Sequence, residues 1–205
     1  MAERFTPFDP SAAAATERSH AARNRRRVLD AALCLFTERA PEHVTMEDVA
    51  RRAGVGKGTV YRRFGDRAGL ALAVLDAQTR GLQGAVLAGE PPLGPGAPAR
   101  ERLRAFLAAL AAQTEAHLPL VLVAETATPG ARYRSQVYAT WRLHVAVLLR
   151  DLLPGHEPGL LPDALLAPLS ADMYRHLRED RGMSAAAVAA ALDDMALAVA
   201  GPGPT

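Results

Sequence analysis

The chain has 205 residues, 49% of them apolar, with 24 Lys and Arg against 22 Asp and Glu for a net charge of +2. That is enough for two modest domains or one large one around a sizeable core. No apolar run approaches the roughly 18 residues a membrane span needs, and the Ala12–Ala15 run is too short and too weakly apolar for a signal-peptide core. The single cysteine, Cys34, excludes an internal disulfide and suits a reducing cytoplasm.

Residues 1–22 contain Pro7, Pro10, an alanine run and scattered charges without periodicity, and read as a flexible N-terminal arm. Arg23-Asn24-Arg25-Arg26-Arg27 leads into a helix whose apolar face is Leu29, Ala32, Leu33, Phe36 and Ala40, ended by Pro41. Cys34, between Leu33 and Leu35, is expected to be a buried, inert thiol. Arginines near a helix N-terminus oppose the macrodipole. A phosphate or minor-groove contact, with Arg25 the candidate, would offset that cost; the plain alternative is a solvated helix start.

The informative stretch runs from Val44 to Leu70. Thr45 followed three residues later by Asp48 has capping-box spacing, and Val44 and Val49 stand where a hydrophobic staple would place them. Met46, Val49, Ala50 and Ala53 recur at helical spacing until Gly54, where a positive φ is expected. A second short helix spans about Gly56 to Phe64. Val60 and Phe64, one turn apart, must face its core. Gly58, Thr59 and Arg62 then face outward, Tyr61 and Arg63 flank them, and Lys57 sits at the N-terminal end. Arginine can read a guanine edge through two hydrogen bonds, hydroxyls suit phosphate oxygens, and a glycine lets backbone approach a groove. Residues 1–65 hold twelve basic against eight acidic residues, a net +4, whereas residues 66–205 hold twelve against fourteen, a net −2. The excess positive charge therefore lies at this end, as attraction to phosphate requires. An ordinary exposed helix face is the plain alternative.

The pattern T-x-x-x-[VI]-A-x-x-[AL]-G-V-x-x-[GP]-[TS]-[VLI]-Y-x-[HYR]-F-x-x-[KR]-x-x-L is carried here by Thr45, Val49, Ala50, Ala53, Gly54, Val55, Gly58, Thr59, Val60, Tyr61, Arg63, Phe64, Arg67 and Leu70. It resembles the DNA-binding domain of TetR-type (TetR/AcrR-like) bacterial transcriptional regulators, over roughly the first third of the chain. Gly69 stands where that family commonly has an acidic residue, and Arg67 where lysine is commoner. The resemblance implies base contacts by Lys57, Gly58, Arg62 and Arg63. Phosphate contacts are implied for Arg25, Thr45, Thr59, Tyr61 and Arg67.

Beyond Asp66, expected to cap it, a helix reaches about Leu87 with Leu70, Val74, Leu75, Leu82 and Val86 spaced for burial. Gly89 to Pro98 is a loop by composition. A helix from about Ala99 to His117 carries Leu103, Phe106, Leu107 and Leu110 on one side. Pro119 opens a short apolar segment through Ala124, followed by Glu125, and Pro129-Gly130 breaks the chain. Further helices are expected at about Tyr133–Leu153, Pro162–Arg181 and Ser184–Ala200, before a loose tail at 201–205. The expected class is all-α, about nine helices, with a three-helix helix-turn-helix domain at 23–68. A helical effector-binding and dimerisation domain would span 69–200.

Polar groups set in apolar stripes are candidates for recognising a small molecule. His144 shares a face with Trp141, Tyr138 and Arg142 flank it, Glu125 follows an apolar run, and Gln113 lies one turn past Ala109. Such a pocket would offer aromatic area, a cation and a carboxylate. The plain alternative is packing, with Trp141 in the core, His144 on a backbone carbonyl and Arg142 on Glu125 or solvent. The chain has no glycine-rich phosphate loop, HExxH, GxSxG or cysteine pair, so neither enzyme nor metal or cofactor chemistry is expected. On the last two helices, Leu166, Leu169, Met173 and Leu177, and Val188, Leu192, Met195 and Val199, form stripes. Resemblance to the family implies that these pair with their copies in a homodimer. The expected protein is a cytoplasmic repressor, free of the membrane, released from a palindromic double-stranded DNA operator by an unknown small-molecule effector. The alternative is a helical small-molecule carrier or enzyme that keeps a vestigial head.

Overall fold

A computed structural model describes residues 10–40 and 43–200. Among the described residues there are eleven α-helices and no strand, and the chain divides into two compact units at Asp66/Arg67.

The first unit contains α1 (Pro10–Glu38), α2 (Met46–Ala53) and α3 (Lys57–Phe64). The first helix starts at Pro10, well ahead of the expected start near Arg23. Proline is pre-organised for a first helical position, and the alanine run assigned to the arm is the strongest helix former available. The rest of the expected arm, residues 1–9, lies outside the described residues, as does the expected tail at 201–205. Val28, Leu29, Ala32, Leu35 and Phe36 of α1 are buried, as are Met46, Val49, Ala50 and Ala53 of α2 and Val60 of α3. Cys34 is exposed rather than buried, because the buried stripe runs through its neighbours at 31–32 and 35–36 and leaves position 34 outside. Arg52 of α2 donates to both carboxylate oxygens of Glu38 on α1, at 2.5 and 2.8 Å, joining the two helices across the surface.

The second unit runs through α4 (Arg67–Ala88), α5 (Ala99–Ala116), α6 (Leu118–Thr126), α7 (Ala131–Arg134), α8 (Gln136–Leu152), α9 (Leu161–Leu166), α10 (Ala171–Arg175) and α11 (Ala185–Ala200). Its axis is α5, which packs against α11 and α8, while α6 packs against α4 and α10. Leu103, Phe106 and Leu107 of α5 meet Trp141, Val145, Leu148 and Leu149 of α8 and Val188 and Leu192 of α11 in one core cluster. Arg104 of α5 donates to both oxygens of Asp193 on α11, at 2.5 and 2.7 Å. No single helix among the described residues is long and apolar enough to cross a membrane.

Two expected helices are broken. The one expected from Tyr133 divides at Ser135, whose hydroxyl accepts from the Tyr138 N–H at 3.1 Å and starts α8 afresh. The one expected over 162–181 becomes α9, a 3-10 turn at Ala167–Leu169, α10 and a π turn at His176–Asp180. Pro168 has no N–H to continue the ladder, and Ser170 is extended at φ −70°, ψ 149°. The stripes expected at a dimer interface also contribute to the unit's own core. Leu166, Leu169, Val188 and Leu192 lie in the unit's own core, with Leu177, Met195 and Val199 packed against it. Only Met173 of the eight is largely exposed, at 46%. An apolar stripe on a helix in so small a unit is claimed first by the unit's own interior.

Candidate nucleic-acid interface and effector site

The first unit is assembled from local signals. Thr45 accepts from the Asp48 N–H at 3.1 Å while the Asp48 carboxylate accepts from the Thr45 N–H at 3.3 Å, completing a capping box. Val44 and Val49, the staple pair, are both buried. Gly54 closes α2 at φ +62°, its N–H shared between the Ala50 and Arg51 carbonyls. A side chain there would be strained, and a Cβ would stand 2.6 Å from Nη2 of Arg27, which lies over the turn. Gly56 then starts α3 without a side-chain cap.

Val60 is fully buried and Phe64 partly so, which fixes the opposite face of α3 to solvent. Among the described residues Arg62 is exposed with no hydrogen bond or ion pair. Beside it Gly58 presents bare backbone, with open space where a Cβ would stand. Lys57 pairs with Glu47 of α2 at 2.5 Å and lies 5.7 Å from the Tyr61 ring centroid. The Tyr61 hydroxyl donates to the same Glu47 oxygen at 3.4 Å. The Glu47 hydrogen bond raises the Lys57 pKa and Lys57 lowers that of Glu47. Both Lys57 and Tyr61 are therefore presented on the α3 face by one carboxylate that sequence reasoning missed. Only the spatial adjacency of α2 and α3 exposes its role.

The other expected contacts fare unevenly. Arg63, although exposed, donates to the Ala21 carbonyl of α1 at 3.0 Å and so ties α3 to α1. Arg25 lies 5.8 Å over the Phe64 ring, at the α1–α3 seam. The Thr45 hydroxyl donates to Asp48 at 2.8 Å, so its proton is engaged within the cap. Thr59 is half-buried on α3, and Arg67 is the exposed first residue of α4, in the second unit.

In the second unit the six expected pocket residues separate into two groups. Glu125 accepts from Arg132 at 2.5 Å and from the Ala171 N–H at 2.8 Å, while Arg132 also donates to the Leu166 and Leu169 carbonyls. It is a clamp between α6, α7 and the break before α10. Arg142 pairs with Asp163 of α9 at 3.0 Å, and Tyr138 donates to the same carboxylate. Burial first, then that hydrogen bond, pushes Tyr138 up to about 12. These three are engaged in tying helices together. Gln113, Trp141 and His144 are different: Gln113 Oε1, Trp141 Nε1 and His144 Nε2 are buried with no hydrogen-bond partner. Phe106, named beforehand only as packing, sits between the last two, its ring centroid 5.3 Å from Trp141 and 4.8 Å from His144. No group of His, Cys, Asp and Glu among the described residues is arranged to hold a metal ion.

A family model described as "Bacterial regulatory proteins, tetR family" matches residues 28–74. An uncharacterized HTH-type transcriptional regulator of Mycobacterium tuberculosis is 43% identical over 56 residues, 27% of this chain and 28% of that protein. The alignment thus spans little more than a quarter of that relative's length. Solved structures extend the likeness over most of the chain. The TetR family transcriptional regulator PfmR of Thermus thermophilus superposes with a TM-score of 0.54 at 27% identity, over 84% of this chain and 97% of that one. A TetR-like transcriptional regulator from Rhodococcus sp. RHA1 shares the fold with a TM-score of 0.57 at 22% identity, over 84% and 93%.

Proposed function

We propose that this chain, which belongs to the TetR family of bacterial regulatory proteins, is a cytoplasmic DNA-binding transcriptional regulator: a repressor that a small molecule releases from a palindromic operator. One observation carries the reading. The solvent face of α3 presents an unpaired guanidinium, Arg62, beside the bare backbone of Gly58, on a helix anchored from behind by Val60. An unpaired arginine on a short helix, with no side chain to hold the groove away, suits the major-groove edge of a guanine. Lys57, Gly58 and Arg62 take the base-edge positions. Tyr61, Thr59 and, from α1, Arg25 take phosphates. Arg63 and Thr45 leave that set for structural work within the head.

One short helix contacts few base pairs, so specificity calls for a second head about one helical turn of DNA away. We place the homodimer contact on the outer face of α8, where Leu143 (61% exposed) and Val147 (44%) stand one turn apart. The alanine-rich outer face of α11, at Ala186, Ala187, Ala190 and Ala191, is a second exposed surface that permits close helix approach. An effector held between α5 and α8 changes operator affinity only by its difference in affinity for the two head spacings. Selection of duplexes from a random DNA pool tests the reading. The expected product is a palindrome whose half-sites are one turn apart; an unenriched pool at moderate salt defeats it.

A further inference from the structure

We propose that Arg102 of α5 holds the carboxylate of a small organic acid, beside His144 of α8. This rests on reading the second unit as the effector-binding part of a regulator, and it adds the chemical class of the effector.

Arg102 is a half-buried charge without a counter-ion. Arg132 and Arg178, half-buried as it is, each meet a carboxylate, Glu125 and Glu115 respectively. Arg102 meets carbonyls instead: its Nη2 donates to Val86 at 3.2 Å and its Nε to Leu93 at 3.5 Å. Among the described residues no carboxylate pairs with it, and its Nη1 makes no hydrogen bond. Carbonyls orient a guanidinium without neutralising it, and a charge drawn partly out of water stays costly until a counter-charge arrives. The rest of the guanidinium fork is free to take a carboxylate through a pair of parallel hydrogen bonds.

The groups around it have the same sense. Phe106, one turn beyond Arg102 on α5, meets the His144 ring edge-on at 4.8 Å between centroids, and the Arg102 charge acts on that ring. His144 Nε2 and, one turn earlier on α8, Trp141 Nε1 are buried with no hydrogen-bond partner. An indole N–H can only donate, and a neutral imidazole donates from Nε2 in one of its tautomers. Burial first, then Arg102, keeps the His144 ring neutral near pH 7, its pKa pushed down to about 4. A fixed positive charge among donors calls for a ligand group that only accepts and is itself negative. An amine would be repelled, and an alcohol or amide would leave the charge unmet. Gln113, whose unpaired oxygen is an acceptor, stands about 16 Å farther along α5 and takes no part. Arg102 and His144 each keep part of their surface in solvent, so a small acid reaches the guanidinium from outside, and the packed rings of Phe106, Trp141 and His144 stay together.

Calorimetric titration of the full chain with benzoate, and with benzamide as its uncharged counterpart of the same shape, tests the pairing. Benzoate is expected to bind saturably and benzamide at least about tenfold more weakly, the equivalent of one charge-assisted hydrogen bond. Arg102→Gln removes the charge and is expected to bind benzoate at least about tenfold more weakly than the parent. The two carbonyls also make Arg102 a strap between the end of α4 and the loop that follows, but a strap alone gives no preference for benzoate over benzamide. That preference is read on the parent, so it stands whether or not the variant folds. No saturable heat with benzoate, equal binding of benzamide, or unchanged benzoate affinity in Arg102→Gln overturns the proposal. Duplex selection is scored separately. A chain that binds benzoate but selects no palindrome keeps this site and loses the regulator reading; one that selects a palindrome and ignores benzoate loses only this inference.

Discussion

Acidification should loosen this protein through one imidazole. Burial, reinforced by the positive charge of Arg102, pushes the His144 pKa from 6.5 down to about 4. Below 6.5 the unfolded chain takes up a proton that the folded chain refuses until pH falls to about 4. Stability from this group is thus complete above the unfolded value and is lost as pH falls through the window between the two. Integrating the linkage to about pH 5 gives a loss of about 2 kcal/mol relative to about pH 7.5. For a chain of this length that corresponds to a fall of about 4–8 °C in melting temperature. The assay is thermal unfolding of the parent and His144→Phe across that pH range, followed by far-ultraviolet circular dichroism. Every other titrating group is common to both proteins, so the difference between their profiles isolates the imidazole. Phenylalanine keeps the ring against Phe106 and removes the unpaired nitrogen, so the variant should hold its stability where the parent loses it. Parallel profiles would show that His144 protonates within the fold without penalty.

Other consequences follow from the head and from the outer face of the body. Arg62→Ala should remove about 1–3 kcal/mol of discrimination at one base position and leave the affinity for random duplex nearly intact; a uniform loss across sequences in mobility-shift titrations would reassign Arg62 to phosphate. Gly54→Ala forces a Cβ into a left-handed position at φ +62° and against Arg27, and should destabilise the protein by about 1–2 kcal/mol in urea unfolding. An unchanged midpoint would mean that the turn relaxes. Glu47→Gln releases Lys57 and removes a negative charge from the α3 face, so duplex affinity should rise several-fold at low salt; a fall would show that the carboxylate holds Lys57 where DNA needs it. Leu143→Glu should yield monomers by light scattering with unchanged helicity, and a dimer that persists would move the interface off α8.

The head was legible because its signals are short-range. A capping box closes within three residues, a staple within five, and a glycine with positive φ ends the helix that they start. Each can be seen without knowing what packs against what. The start of α1 was misjudged for the converse reason. Its first three turns carry almost no apolar periodicity, and only the helix propensity of the alanine run marks them. In the break before α10 the decisive signal was present in Pro168, but a regular apolar stripe on either side of it argued for continuity.

Side-chain partnerships were not legible, and the two arginines of α3 show why. Arg62 and Arg63 are neighbours of one type, separated by about 100° around a short helix. One reaches a carbonyl 42 residues earlier in the chain, and the other reaches nothing among the described residues. The same division runs through the body. Glu125, Tyr138 and Arg142 sit in apolar stripes as Gln113, Trp141 and His144 do, yet the first three meet partners on other helices and the second three do not. Helical spacing tells which face a polar group occupies; only the fold tells whether that face supplies its complement. A polar group that the fold has buried or anchored and still left without a complement is the one whose partner must arrive from outside. In the body of this chain that criterion singles out Gln113, Trp141 and His144 along the α5–α8 seam.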